Sequence, residues 1–575
     1  MSNLTLPLST INGLALSTEQ TNYLTGFFAG VAARGQRFTD VEAPPSAPKE
    51  PNLDDLIFEE RVKRELHPLD AYPVLLEHAA ANKAPAKEEI FRFKWNGLFY
   101  LTPTKEAFMA RLRIPGGLLR TFQLREIAKI AHDLTTGYIQ ITTRANLQIR
   151  LIQPKDAPEV LRRIQSVGLH TRGAGADNIR NLTANPTSGV DPLELIDVMP
   201  FCAEMGQIII NDRSFYNLPR KFNIAYDGGG LIGTVEDTND IGCKAVRVGD
   251  DIYFRIALGG ATGHKAFARD LGVLVKPAEL SKVVSAVVRV YIANGNRTDR
   301  KKARLKHLLE KWTLEQYLEE TEKVLGYTLQ RVPVDPATIQ YPGQGLPHSH
   351  VGFYPQKQKG LNYVGVALQV GHLTSKQLIR IAEIADLYGS GEVRLTVWQN
   401  FVIPNVPDTY VETVKKALVK AGMHWKQSNL RSGLIACTGS SYCKFAQSDT
   451  KGHALSLADY LDSKITLDQP VNIHFTGCPN SCAQHYMGDI GLLGTKVKVA
   501  GESVDGYHVF VGGGFGANQA VGRQVFTGVS VDNLKSTVEK MLKGYLRHRT
   551  KDESFQAFTA RYDLNMLQAI FSNEE

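Results

Sequence analysis

Two segments far apart in the chain carry nearly the same helix. RTFQLREIAKIAHDL (120–134) and TSKQLIRIAEIADLY (374–388) share Gln, Leu, Ile, Ala, Ile and Ala at a constant offset of 254 residues. The same offset aligns ITTRANLQIRLI (141–152) with LTVWQNFVIPNV (395–406), placing Thr142 opposite Thr396 and Asn146 opposite Asn400. Beyond this the register slips slightly, yet the order holds. NIRN (178–181) meets NLRS (429–432), FNIAYDG (222–228) meets VNIHFTG (471–477), and DIG (240–242) meets DIG (489–491). Chance likeness between βα units of similar composition would not keep several segments in one order. The chain therefore reads as a duplication in which each half is a strand–helix–strand unit followed by a larger α/β unit. Such a body has a pseudo-twofold axis, and the cleft between its halves is a natural place for a large ligand.

At 575 residues, with 43% hydrophobic and 22% charged residues, the chain reads as a folded protein of several domains rather than a disordered one. The formal net charge of +8 favours an anionic ligand, an acidic partner or nucleic acid. No apolar run approaches the length of a transmembrane helix, and no signal or transit pattern is read at the N-terminus, so a cytoplasmic location is expected. Residues 17–34 read as a short amphipathic helix opened by Ser17 and Gln20 at capping-box spacing. A linker with Pro44, Pro45, Pro48 and Pro51 follows.

Six cysteines are too few for a disulfide scaffold in a chain of this length. Four of them cluster in two motifs, CTGSSYC with Cys437 and Cys443, and GCPNSC with Cys478 and Cys482. Four thiolates can hold zinc or an iron–sulfur cluster. Structural zinc favours tighter hairpins than C-x5-C, whereas a [4Fe–4S] cube takes one thiolate per iron and accepts wider spacing. The first half has Pro186 and Gly229 where Cys437 and Cys478 stand in the second, so one copy keeps the metal site and the other does different work. Cys202 and Cys243 read as ordinary core or loop thiols.

That other work is suggested by cations in apolar or strand-like context: Arg111 and Arg113 in FMARLRIPGG, Arg144 and Arg150 in ITTRANLQIR, Arg180 in DNIRN, Arg220 and Lys221 in LPRKFN. Only Asp177 stands near any of them as a local acid. Singly, each could belong to a solvated face. As a set they describe a pocket for a polyanion, because the planar fork of Arg binds two carboxylate oxygens at once.

Together the paired cysteine motifs, RLRIPGG, TTRANLQIR, NIRN and LPRKFN resemble the sirohaem-containing nitrite and sulfite reductase family, over roughly residues 60–560. The resemblance implies an α+β (mixed α/β), duplicated pseudo-twofold fold, with two ferredoxin-like half-domains forming a central unit plus two α/β domains. Its divisions would be 1–59 (helix and Pro-rich linker), 60–155 (first half-domain), 156–340 (first α/β domain), 341–410 (second half-domain) and 411–575 (second α/β domain, carrying the cluster). It implies a [4Fe–4S] cluster on Cys437, Cys443, Cys478 and Cys482, with Cys482 also bridging to the sirohaem iron. Sirohaem carries eight carboxylates. Arg113, Thr142, Arg144, Asn146, Gln148 and Arg150 match residues that line it, and Arg111, Arg180, Lys221 and Asn223 match residues of the anion-binding face.

Family members acting on sulfite read R-K-F-K where this chain reads R-K-F-N, and a bound dianion gains more from a second lysine than nitrite does. Asn223 thus points to nitrite, reduced to ammonia, with assimilatory sulfite reduction as the alternative. No flavin or nicotinamide domain is recognisable, so electrons are expected from a protein donor such as acidic ferredoxin. The run RTDRKKARLKH (297–307), with six Lys/Arg in eleven residues, reads either as its docking site or as a solvated helix face. A monomer is expected, without membrane or nucleic-acid partners. A nucleic-acid-binding protein with a four-cysteine metal site is the distant alternative, resting on charge and cysteines alone. The Gly-rich FVGGGFG (510–516) lacks the context of a dinucleotide loop and is expected to pack against the cofactor.

Overall fold

The computed structural model describes residues 56–101, 106–332, 339–341 and 350–572, with isolated positions between 10 and 53. Ahead of Ile57, Thr10–Ile11 pairs antiparallel with Leu14–Ala15. The expected capping box is present, with Ser17 N–H donating to Gln20 Oε1 and Gln20 N–H to Ser17 Oγ. Helical residues occur between 18 and 25, while 26–34 and the prolines at 44, 45, 48 and 51 lie outside the described residues.

From Ile57 onward the repeat is visible in the backbone. Several pairs 254 residues apart share positive φ, among them Gly117 and Gly371 (73° and 72°), Gly137 and Gly391 (77° and 68°), Ala145 and Gln399 (47° and 61°), and Leu151 and Asn405 (62° and 61°). The helices Thr121–Leu134 and Ser375–Tyr388 start alike, each closed by a Gln three residues past the cap whose side chain accepts the cap N–H. Their apolar faces, including Leu124, Ile127, Leu378 and Ile381, share one core.

Two five-stranded sheets flank these helices, and each half lends the other a strand. Leu118–Arg120 of the first half pairs with Glu392–Leu395 of the second, and the repeat-related His372–Thr374 pairs with Tyr138–Ile141 of the first. Helices Ala157–Ser166 and Val411–Lys420 also join this core through Val160, Ile164, Val414 and Leu418, so it runs past the boundaries expected at 155 and 410.

Each half continues into a second sheet of the same design. Thr183–Ala184, Ile224–Asp227 and Ile241–Val248 run parallel, and Asp251–Leu258 and Arg269–Val275 follow antiparallel. Leu434–Ala436, Ile473–Thr476, Ile490–Val499, Glu502–Val511 and Arg523–Ser530 repeat that order. Helices Met199–Asn211 and Leu280–Asn294 cover the first sheet, and Thr450–Asp462 and Val531–His548 the second. No helix among the described residues is long and apolar enough to cross a membrane.

Candidate functional site

Where the first half faces the cysteine loops of the second, a cavity of about 790 Å³ opens, at the upper end of the usual range for ligand sites. Six arginines and three lysines line it: Arg111, Arg144, Arg180, Arg220, Arg300, Arg304, Lys221, Lys301 and Lys451. No carboxylate among the described residues does.

The turn between Tyr138–Ile141 and Leu147–Ile152 forms one wall. Thr142 Oγ1 donates to Asn146 Oδ1 and accepts the Arg144 N–H, while Asn146 Nδ2 donates to the Leu112 carbonyl. Thr142 and Asn146 thus spend their side chains on building the turn, as well as lining the cavity. The turn presents Arg144, whose Nη1 donates to Asn239 Oδ1 at 2.8 Å. Thr143 Oγ1 donates to the Cys482 carbonyl at 2.9 Å, tying this wall to the second cysteine pair.

Arg111, Arg180, Lys221 and Asn223 all line the cavity. Arg111 Nη1 and Arg180 Nη1 donate to the Ala174 carbonyl, and Arg180 Nη2 to that of Ala176. Carbonyls satisfy N–H groups but do not neutralise charge. Burial pulls Arg111 and Arg144 down to about 10 and Arg180 well below its ordinary value, and neighbouring arginines add to the effect at Arg144 and Arg180. Lys221 falls to about 7, through burial first and the fields of Arg304, Arg180 and Arg220 next. Arg180 Nε and Asn223 Oδ1 are buried with no hydrogen-bond partner among the described residues. A buried polar atom left unpaired is costly, so these groups are arranged for something that enters the cavity.

Two expected cofactor residues stand elsewhere. Arg113 does not line the cavity: it is buried, and its guanidinium donates to the carbonyls of Arg172, Arg180 and Ile179. Its fork is taken up by the loop that carries Arg180, so its observed role is to shape that loop. Arg150 is likewise behind the wall. It donates to Gln140, Gln148 and Thr438, all three of which line the cavity, and stacks over Tyr442 at 5.1 Å.

Cys437 and Cys482 are on the cavity wall, with Cys443 and Cys478 outside its lining. Cys437 accepts the Gly477 N–H at 3.2 Å, and Thr450 Oγ1 holds the Cys437 carbonyl at 2.8 Å. Burial pushes the Cys478 thiol up to about 11, and the Cys482, Cys443 and Cys437 thiols push in the same direction. The other three thiols of the two motifs thus all act on Cys478. No three His, Cys, Asp or Glu side chains among the described residues gather tightly enough to hold a single metal ion. Four thiols in two loops can serve a cube that takes one thiolate per iron. Cys202 and Cys243 are buried core thiols, both raised by burial.

The arginines of the basic run 297–307 are taken up by ion pairs, while Lys301 and Lys302 are exposed. Arg297 pairs with Glu60, Arg300 with Asp177 and Glu59, and Arg304 with Asp240, while Arg300, Lys301 and Arg304 line the cavity. The Gly-rich loop is also displaced from its expected place. Gly513 lies against the backbone of Tyr486–Gly488 and Gly516 N–H donates to Asp237, but neither lines the cavity. Sequence reading missed Lys451, Gln399, Gln484 and His264. Lys451 alone left a trace: it stands in the first turn of Thr450–Asp462, where the helix dipole disfavours a cation.

Residues 175–329 and 427–574 match the Nitrite and sulphite reductase 4Fe-4S domain, and residues 100–167 and 354–421 the Nitrite/Sulfite reductase ferredoxin-like half domain. The chain belongs to the nitrite and sulfite reductase family. Among similar relatives is a ferredoxin–nitrite reductase of Synechococcus elongatus, 36% identical, with 78% of this chain and 88% of the relative covered. The assimilatory ferredoxin-dependent nitrite reductase of Haloferax mediterranei is 31% identical, with 81% and 84% covered. The solved Mycobacterium tuberculosis NirA protein superposes with a TM-score of 0.82 at 28% identity, covering 89% of this chain and 97% of its own. As a member of the nitrite and sulfite reductase family the chain is an oxidoreductase whose cofactors are sirohaem and a [4Fe–4S] cluster. The residues present fit both groups. A macrocycle with eight carboxylates needs a large cavity whose cations are not already neutralised from within, and the two cysteine motifs reach that cavity through Cys437 and Cys482.

Proposed function

We propose that the chain reduces nitrite to ammonia, with electrons supplied by ferredoxin. The observation that carries this reading is the cavity lined, among the described residues, by nine Lys/Arg side chains and no carboxylate, and bordered by two of the four clustered cysteines. Sirohaem and the [4Fe–4S] cluster would relay, one at a time, the six electrons that the reaction takes from ferredoxin. Cys437, Cys443, Cys478 and Cys482 would hold the cluster, with Cys482 shared between it and the sirohaem. Arg144, Gln148, Thr142 and Asn146 would face the macrocycle, and Arg150 would hold Gln148 in place from behind.

The remaining chemistry belongs to Arg111, Arg180, Lys221 and Asn223. Cations without carboxylate partners bind an anion and offset the charge that each added electron builds up. Lys221 Nζ is the best placed to move protons. In the bare cavity it titrates near 7 because burial and other cations disfavour its charge. Carboxylates of a bound macrocycle raise that value, so the ammonium form prevails at neutral pH and can release a proton to an oxygen departing as water. Asn223 Oδ1 offers a neutral acceptor where a second cation would favour a dianion, and this supports nitrite over sulfite.

The test is steady-state turnover with reduced ferredoxin or a reduced viologen as donor. Nitrite should be consumed with kcat/KM at least about tenfold above that for sulfite. Equal or greater efficiency on sulfite would overturn the specificity reading.

A further inference from the structure

The cavity arginines fall into two groups by what stands behind them. Arg111, Arg144 and Arg180 are held by carbonyls and an amide. Arg300 is instead gripped by a carboxylate: its Nη1 and Nη2 each donate to one oxygen of Asp177 at 2.8 Å. Asp177 is wholly buried and also stands 3.7 Å from Arg220 Nη1 and 3.7 Å from Lys63 Nζ. Its sequence neighbour Arg180, three residues on, makes no such bond with it.

We infer that Asp177 is a positioning residue that fixes the Arg300 and Arg220 side of the anion cavity, a deepening that rests on the reading of this cavity as the reduction site. A bidentate pair sets both the place and the plane of a guanidinium, whereas a buried arginine bound only to solvent-side partners would keep several rotamers. Electrostatics agree with the geometry. Burial alone would lower Arg300, but Asp177 reverses this and leaves it raised, while Arg180, without that grip, falls. The hub extends outward. Glu59 pairs with Arg300 at 3.0 Å, and Glu60 pairs with Lys63 and Arg297, so the helix Phe58–Glu65 is wired to the cavity wall through Asp177.

The duplication supplies an internal comparison. In the second copy the position of Asp177 is taken by Ser428, which is exposed, and the counterpart of Arg180, Arg431, pairs with Asp459 and Asp462 outside any such cavity. The buried acid occurs in the copy that builds the cationic wall and not in the other.

Positioning and simple charge balance predict opposite results. If Asp177 only neutralised excess charge, Asp177→Asn would leave the cavity more positive and tighten anion binding. If it positions the wall, binding weakens despite the added positive charge. The measurement is the dissociation constant of nitrite, from titration of the sirohaem visible band in purified holoenzyme. This constant reports only on chains that hold the cofactor, so a general loss of stability does not move it. Asp177→Asn should weaken nitrite binding by about tenfold or more. Should that variant fail to accumulate, Arg300→Lys keeps the charge, loses the fork, and should weaken binding in the same direction. Unchanged or tighter binding in either variant overturns the inference. A band in the unmodified protein that does not respond to nitrite would instead count against the proposed function itself.

Discussion

Asp240 and Asp489 occupy equivalent positions of the repeat and do the same backbone work in different electrostatic company. Each accepts the N–H of an asparagine 17 residues earlier, Asn223 or Asn472, at 2.8 Å. Asp240 is also bonded by Arg304. Asp489 has no ion pair among the described residues, and burial raises it to about 7 despite bonds from Asn472. Its folded value thus lies above its unfolded value of 3.8. Between those limits the folded chain holds a proton that the unfolded chain has released, so stability falls as pH rises from about 4 to 7. Asp489→Asn should remove this contribution to the slope and leave the protein as stable at pH 7, or more so by about 1–2 kcal/mol. Urea unfolding midpoints at pH 4.5 and 7 check this, and an unchanged slope would contradict it.

At the scale of elements, the half-domains are joined by reciprocal loan of a three-residue strand, and a glycine sits before each loan. A Cβ on Gly117 would stand 2.6 Å from the Leu395 carbonyl, and one on Gly371 2.6 Å from the Ile141 carbonyl. Both have positive φ, so only glycine satisfies backbone and neighbour together. Gly371→Ala should destabilise by about 3 kcal/mol, combining backbone strain with a collision against backbone. Gly168→Ala, at the same φ but with nothing within 4 Å, should cost only about 1–2 kcal/mol. Equal losses in the two unfolding midpoints would show that the close approach does not matter. The repeated helices were legible in the sequence because their 3.6-residue periodicity survives over four turns. The exchanged strands were not, because Leu118–Arg120 and His372–Thr374 are too short to show a period and pair across more than two hundred residues.

For the whole molecule, the site exists only because both copies contribute to it, from Arg111 to Gln484. The first copy lost or never had the cysteines and supplies most of the cations, while the second supplies the thiols together with Lys451 and Gln399. Short motifs made the first set readable: TTRANLQIR, NIRN and LPRKFN bring most of their polar side chains to one cavity. A motif does not separate the side chains that face a cavity from those that support it: Arg150 supports Gln140, Gln148 and Thr438 from behind, and Arg113 the loop that carries Arg180. Lys451 and the ion pairs of 297–307 depend on contacts between distant segments and leave little local pattern. The central claim is that four thiolates and a cationic cavity hold a cluster and a macrocycle side by side. The visible absorption spectrum of the purified protein, read with its iron and acid-labile sulfide content, tests it most directly. The account predicts sirohaem bands in the Soret and red regions with about five irons and four sulfides per chain. A colourless protein carrying zinc, or a cluster without macrocycle bands, would contradict it.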